Sequence, residues 1–99
     1  MPLAVCRYEK LGAGGMEQAM AVYPRHTAYV REFSASGELL LIGTFADPVA
    51  DGSMAVFLNR EAAQRFIEKD PFVTEGVVVE WTILDWNAQA YRAELTDLV

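Results

Sequence analysis

Residues 77–86 read VVVEWTILDW, and this stretch decides the fold. Its branched and aromatic side chains are typical of a β-strand, and no glycine or proline interrupts them. Alternation predicts two opposite faces, one carrying Val77, Val79, Trp81 and Ile83 and the other Val78, Glu80, Thr82, Leu84 and Trp86. Both faces are largely apolar, so we expect both to be covered. Helices can cover one face, and the other then needs a second sheet or a partner subunit.

A helix is predicted over residues 60–69, because Asn59 is a good N-cap and the apolar side chains recur at helical spacing. That apolar stripe consists of Ala63, Phe66 and Ile67. The helix should end near Asp70, since Pro71 disfavours the helical conformation of the residue before it.

Two strands precede this helix. Residues 38–46, ELLLIGTFA, and residues 53–58, SMAVFL, both have strand composition. The turn residues DPVADG at 47–52 separate them, so the pair predicts a β-hairpin.

The first third of the chain predicts a strand, a loop and an interrupted helix. Residues 3–8, LAVCRY, have strand composition, and LGAGG at 11–15 predicts a flexible loop. Residues 16–36 have helical spacing, but Pro24 lacks an N–H and should break the helix. We therefore predict a short helical turn and then a second helix that starts at Pro24 and stops at Gly37.

The predicted order is β-α-β-β-α-β. This is the split-βαβ order of ferredoxin-like α+β folds, in which two helices pack on one face of a four-stranded antiparallel sheet. The opposite face stays bare unless the chain dimerises. With 53% apolar residues in 99, the composition also favours a homodimer. We expect one domain over residues 1–99, with its core at about 3–86 and a tail at 87–99.

The net charge and the counts of cysteine and histidine limit which kinds of partner and metal site we expect. The formal net charge is −6, and no basic stripe interrupts it, so we expect neither nucleic acid nor anionic membrane as a partner. The single cysteine, Cys6, lies in an apolar run and is expected to be buried rather than reactive. One cysteine and one histidine do not build a structural zinc site, and no cofactor is implied. No signal peptide or membrane span is apparent, so a cytoplasmic location is expected.

His26, the only histidine, is the first candidate for chemistry. On the predicted second helix it would lie in the first turn, where the partial positive charge disfavours the imidazolium and keeps the ring ready to accept a proton. It shares a helical face with Tyr29, Val30 and Phe33, which points it toward the protein. The alternative interpretation is a hydrogen-bonded boundary residue.

Asp70 is the second candidate, because a carboxylate at a helix C-terminus is disfavoured unless it has a partner. Contact with His26 would fix the tautomer and leave Nε2 free as a base. The alternative interpretation is a simple Asp-Pro helix stop. Tyr8, Tyr29, Phe72 and Ser53 are expected to contact a substrate, although Ser53 lacks the surroundings of a nucleophile.

Two segments resemble the YCII-related family. YPRHTAYVREFSASGELLLIGTFADP, residues 23–48, resembles its first helix and second strand, with a tyrosine three residues after the histidine. GSMAVFLNREAAQRFIEKDPFVTEGVVVEWTILDW, residues 52–86, resembles its second half, including the Asp-Pro-Phe after the second helix and the closing tryptophan.

The resemblance implies a dimeric α+β barrel with a His and an Asp beside a pocket near the dimer interface, at His26 and Asp70. It also implies a dehydrochlorinase-type elimination as the activity of the family. We therefore expect a small-molecule enzyme that eliminates or isomerises a small cyclic or aromatic substrate, with His26 as general base. The alternatives are a non-catalytic module that binds a small ligand or assists a larger enzyme, and a haem or quinone monooxygenase of the same architecture.

Overall fold

The computed structural model describes residues 2–99. Its helices and strands follow the predicted βαββαβ order, with two additional one-turn helices. In chain order they are β1 (Leu3–Leu11), α1 (Gly15–Ser34), β2 (Leu39–Thr44), α2 (Pro48–Asp51), β3 (Ser53–Phe57), α3 (Arg60–Lys69), α4 (Pro71–Thr74), β4 (Val78–Trp86) and a final 3₁₀ helix (Ala93–Leu98).

The four strands form one antiparallel sheet in the order β2-β3-β1-β4. Helices α1 and α3 contribute buried side chains to a core on one face of this sheet. The ferredoxin-like α+β fold predicted from the sequence is therefore confirmed. None of the helices in the described part of the chain is both long and apolar enough to cross a membrane.

The core lies between the helices and the sheet. Phe33, Phe57 and Phe66 pack edge to face or tilted, with ring centroids 5.2–6.0 Å apart. Ala62 and Ala63 on α3 are fully buried, and such small side chains permit close approach of the helix to the sheet. Helix α3 begins and ends where the sequence predicted, with the Asn59 side chain accepting from the Ala62 N–H at 2.8 Å.

Helix α1 corrects one prediction. The predicted break at Pro24 is wrong, because α1 runs continuously from Gly15 to Ser34 with Pro24 inside it. His26 consequently lies in the middle of a long helix and not in its first turn. The helix-terminus argument for a neutral imidazole is therefore wrong.

Strand β4 corrects a second prediction. The strict alternation expected from Val77 onward fails, because Val77 and Val78 are both buried while Val79 is exposed. Register shifts in the pairing of β1 with β4 near Lys10 account for this, since a bulge puts neighbouring residues out of phase. Strand β1 also continues to Leu11, beyond its predicted end at Tyr8.

The β2–β3 hairpin is confirmed, and its connection is more ordered than a simple turn. Asp47 caps α2 by accepting from the backbone N–H groups of Val49 and Ala50. Gly52 then adopts a φ of 72°, and a Cβ there would lie 1.9 Å from the Tyr8 carbonyl oxygen. Only glycine fits this close approach of the hairpin to β1.

The sheet face opposite the helices carries an apolar row. Val5 pairs with Val56 and Leu84, and Val56 pairs with Leu41, so one cross-strand row of aliphatic side chains spans all four strands. The two edge members of this row, Leu41 and Leu84, are exposed.

Candidate active site

His26 and Asp70 meet although 44 positions separate them in the chain. His26 Nδ1 lies 2.7 Å from Asp70 Oδ1, and both side chains are buried, Asp70 completely. Helix α1 supplies the histidine, and the junction between α3 and α4 supplies the carboxylate.

The junction explains how Asp70 tolerates its position. It ends α3, as predicted, but it is also the N-cap of α4, where Pro71 occupies the first helical position. Its Oδ1 accepts the Phe72 N–H at 3.1 Å. The expected mismatch between a carboxylate and a helix C-terminus is thus offset by the N-terminus of the next helix.

Tyr8 supplies a further donor to the same carboxylate. From the centre of the sheet, its hydroxyl donates to Asp70 Oδ2. Burial, and then the negative charge of Asp70, raise the pKa of Tyr8 far above its usual range, so the phenol stays protonated and keeps donating. Asp70 therefore accepts from His26, Tyr8 and the Phe72 backbone, which compensates the buried carboxylate for the water it has lost.

Phe72 fixes the plane of the imidazole. The two rings stack with centroids 3.9 Å apart and an interplanar angle of 1°. Tyr23 is tilted against both rings, with centroids 6.1 Å from His26 and 6.4 Å from Phe72. The ring of His26 is thus held by one hydrogen bond at its edge and by aromatic contact on its face.

A cavity of about 320 Å³ opens beside this cluster, between α1 and the β2–β3–β1 part of the sheet. His26 is on its wall, and Asp70 lies behind the wall. The residues that line it are Cys6, Tyr8, Tyr23, His26, Thr27, Val30, Arg31, Ile42, Gly43, Thr44, Ser53, Met54, Ala55, Phe66 and Phe72.

The structure separates the residues expected to contact substrate into two groups. Tyr8, Ser53 and Phe72 line the cavity together with His26. Tyr29 does not line it, and its hydroxyl instead donates to the Phe66 carbonyl oxygen at 2.8 Å. This contact ties α1 to α3 and indicates a structural role for Tyr29.

Arg31, Thr27 and Thr44 line the cavity but were not among the expected substrate contacts. The helix predicted around His26 could have indicated Thr27 and Arg31, because both follow His26 within two turns of α1. Thr44 pairs directly with Ser53 across the hairpin, so the register of that hairpin would have indicated it.

Cys6 also lines the cavity, yet its thiol is unsuited to nucleophilic chemistry. Burial, and then the charge of Asp70, raise the pKa of Cys6 from 9.0 to about 12. Within residues 2–99, no cluster of three or more His, Cys, Asp or Glu side chains is arranged to hold a metal ion.

Comparison with known proteins identifies the family of the chain and solved structures that share its fold. A model of the YCII-related domain matches residues 1–87. The chain is similar in structure to 5-chloro-2-hydroxyhydroquinone dehydrochlorinase (TftG) from Burkholderia phenoliruptrix AC1100, solved in complex with 2,5-dihydroxybenzoquinone. The TM-score is 0.65 at 21% identity, over 90% of this chain and 96% of that one, and a likeness at this identity shows the fold. The sequence matches no curated protein.

Proposed function

As the chain belongs to the YCII-related domain family, we propose that it is a small-molecule enzyme in which His26 acts as a general base. The reaction is an elimination or isomerisation of a small cyclic or aromatic substrate. The observation that carries the proposal is the 2.7 Å contact between His26 Nδ1 and the buried carboxylate of Asp70, at the wall of a cavity.

Asp70 sets the tautomer in this mechanism. A carboxylate only accepts hydrogen bonds, so the proton of a neutral His26 resides on Nδ1 and leaves the lone pair of Nε2 available to a molecule in the cavity. When Nε2 takes a proton, the adjacent negative charge stabilises the imidazolium. Tyr8 is a positioning residue, because it holds Asp70 and not the substrate proton.

The cavity wall suits a flat, oxygenated ring. The aromatic rings of Tyr23 and Phe72 offer apolar faces, and Arg31 offers a cation for a phenolate or enolate oxygen. The complex of the dehydrochlorinase with 2,5-dihydroxybenzoquinone supports starting with dihydroxyquinones and chlorinated hydroxyhydroquinones as test compounds.

The test compares the wild type with His26→Gln across chlorinated hydroxyhydroquinones and cyclic enols, following chloride release and ultraviolet absorbance. Loss of the base should lower kcat/KM by ~10²–10⁴-fold. Tyr29→Phe is the matched control. It removes a partly buried hydroxyl group from a residue that does not line the cavity, so it should keep wild-type activity. Equal turnover by wild type and His26→Gln would remove His26 from the mechanism.

One observation favours a second candidate, a module that binds a small ligand without turning it over. Among the described residues that line the cavity there is no carboxyl group, and burial raises the pKa of the Cys6 thiol to about 12, which makes it a poor proton donor. Neither a carboxyl group nor the thiol therefore serves as a general acid to complement His26. Thermal shifts with hydroxylated aromatics and lactones, unaccompanied by product in the activity assay, would select this candidate.

We further propose that the active form is a homodimer. The apolar row of Val5, Val56, Leu41 and Leu84 on the open sheet face supports a second copy as its cover.

A further inference from the structure

A second hollow adjoins the cavity that contains His26. Its volume is about 150 Å³, and it lies between the first half of α1, the end of β1 and the β2–β3 connection. The two spaces share five wall residues, namely Tyr8, Tyr23, Thr44, Ser53 and Phe72. A molecule bound against His26 is therefore one side chain away from the second hollow.

The chemistry of the two spaces differs. The walls that belong to the second hollow alone are mainly apolar, namely Leu11, Met16, Ala19, Met20, Pro48, Gly52 and Val78 with Lys10 at one side. Lys10 is the only charged residue among its described walls, and its ammonium group lies 3.9 Å from Glu80, well exposed to water. The described walls therefore place no charged group in the interior of this hollow.

Helix α1 presents apolar side chains along the rim of the hollow. Met16, Met20 and Tyr23 recur at i, i+4 and i+7, and Met20 and Tyr23 are 72% and 57% exposed. Methionine adapts its shape to an irregular apolar partner. An apolar group in the hollow would remove this surface from water.

We propose that the second hollow is a subsite for an apolar substituent, so that the ligand is a hydroxylated ring carrying a short alkyl arm. This inference rests on the proposed function, because that function places the ring beside His26. The size fits, since a dry apolar cavity of about 150 Å³ is large enough to bind benzene. Occupancy by a charged arm is disfavoured because the described walls place no opposite charge in the interior of the hollow.

The experiment measures binding of three probes by calorimetry: 2,5-dihydroxybenzoquinone, its 3-propyl derivative and its 3-(2-carboxyethyl) derivative. Burial of a methylene group is worth ~4-fold in affinity, so the propyl arm should tighten binding by ~10–60-fold. The carboxyethyl arm should give no gain. A wild type that binds the parent quinone but gains nothing from the propyl arm overturns the subsite.

Substitutions on α1 test where the propyl arm binds. Ala19→Phe fills the hollow from α1 and should bind the parent normally while reducing the propyl gain to below ~3-fold. Ala21→Phe, on the exposed side of the same helix, is the matched control and should retain the gain. Met20→Asp, at an exposed rim position, repeats the comparison without overpacking the core. A propyl gain that survives both Ala19→Phe and Met20→Asp would show that the arm binds elsewhere.

Failure of the proposed function gives a different result. If the parent quinone does not bind the wild type, the ring site beside His26 is contradicted, and butylbenzene then probes the hollow alone. Butylbenzene binding that Ala19→Phe abolishes would still support an apolar subsite. Its failure to bind the wild type would overturn the subsite as well.

Discussion

Asp70 is the residue whose placement is hardest to achieve, because a fully buried carboxylate loses all its water. Three donors replace that water: the His26 ring, the Tyr8 hydroxyl and the Phe72 N–H. Removing one partner of such a group costs more than the bond itself contributes, since the remaining charge stays buried. The candidate site and the packing around it therefore depend on the same carboxylate.

Tyr8→Phe should lower the free energy of unfolding by ~1–3 kcal/mol, because it leaves Asp70 Oδ2 buried without its donor. Urea unfolding measures this change, and Tyr29→Phe, whose hydroxyl bonds only backbone carbonyls, is the control with an expected loss of ~1 kcal/mol. The ¹H–¹⁵N spectrum of the His26 ring should shift in Tyr8→Phe and stay unchanged in Tyr29→Phe. An unaltered imidazole spectrum in both would show that Tyr8 does not influence the pair.

Cys6 should make stability depend on alkaline pH. Burial, and then the charge of Asp70, raise the pKa of the Cys6 thiol from 9.0 to about 12, so the folded state holds this proton more tightly than the unfolded chain. The stabilisation is complete below pH 9 and is lost as pH rises toward 12, because the unfolded chain then binds fewer protons. Between pH 8 and pH 10, the free energy of unfolding should fall ~1 kcal/mol more in the wild type than in Cys6→Ala. Parallel losses in the two proteins would contradict the raised pKa.

The sequence indicated His26 and Asp70 as candidate residues, but it did not indicate the contacts that hold them in place. His26 and Asp70 stood out as single residues, and a family resemblance linked them, but no local pattern reports a contact across 44 positions. The donation from Tyr8 to Asp70 crosses 62 positions and was not predicted for the same reason. Such contacts depend on how β1, α1 and α4 pack, which periodicity does not specify.

At the scale of elements, short and strongly signalled segments were predicted well. Helix α3 begins after Asn59 and ends before Asp70, as expected, because N-capping and the conformational effect of a proline on the preceding residue act locally. The predicted helix break at Pro24 is wrong, because packing of the apolar face of α1 on the sheet outweighs the local cost of a proline inside the helix. The bulge near Lys10 was also missed, because it arises from the pairing of β1 with β4.

Pro24→Ala should therefore stabilise the protein by ~1–3 kcal/mol, because it restores a backbone donor inside α1 at an exposed position. Thermal and urea unfolding measure the gain. Pro48→Ala is the matched control, since Pro48 occupies the first position of α2 where proline fits, and it should bring no gain. A loss of stability in Pro24→Ala would mean that the proline ring itself contributes to packing.

At the scale of the whole molecule, the helices cover one face of the sheet, and the opposite face carries an apolar row of its own. Helices α1 and α3 bury one face, while the row from Leu41 through Val56 and Val5 to Leu84 lies on the opposite face. Leu41 is 70% exposed and Leu84 is 55% exposed. Val56 in the middle of the row is buried, so the water-exposed aliphatic surface lies at its two ends. Exposed aliphatic side chains of this kind favour an interaction surface, and a two-fold axis lets one such face cover another.

Leu41→Glu should consequently convert a dimer into a monomer. We expect the wild type to sediment with twice the 11.0 kDa mass of the chain, and the variant with the single mass, because a carboxylate in the apolar row would be buried without a partner. Val49→Glu is the matched control, since Val49 on α2 is 65% exposed but lies outside the sheet, and it should remain dimeric. Analytical ultracentrifugation over a range of concentrations distinguishes these cases. A wild type that stays monomeric at 100-fold above assay concentration would leave the open face to some other partner, and a dimeric Leu41→Glu would place the contact elsewhere on the surface.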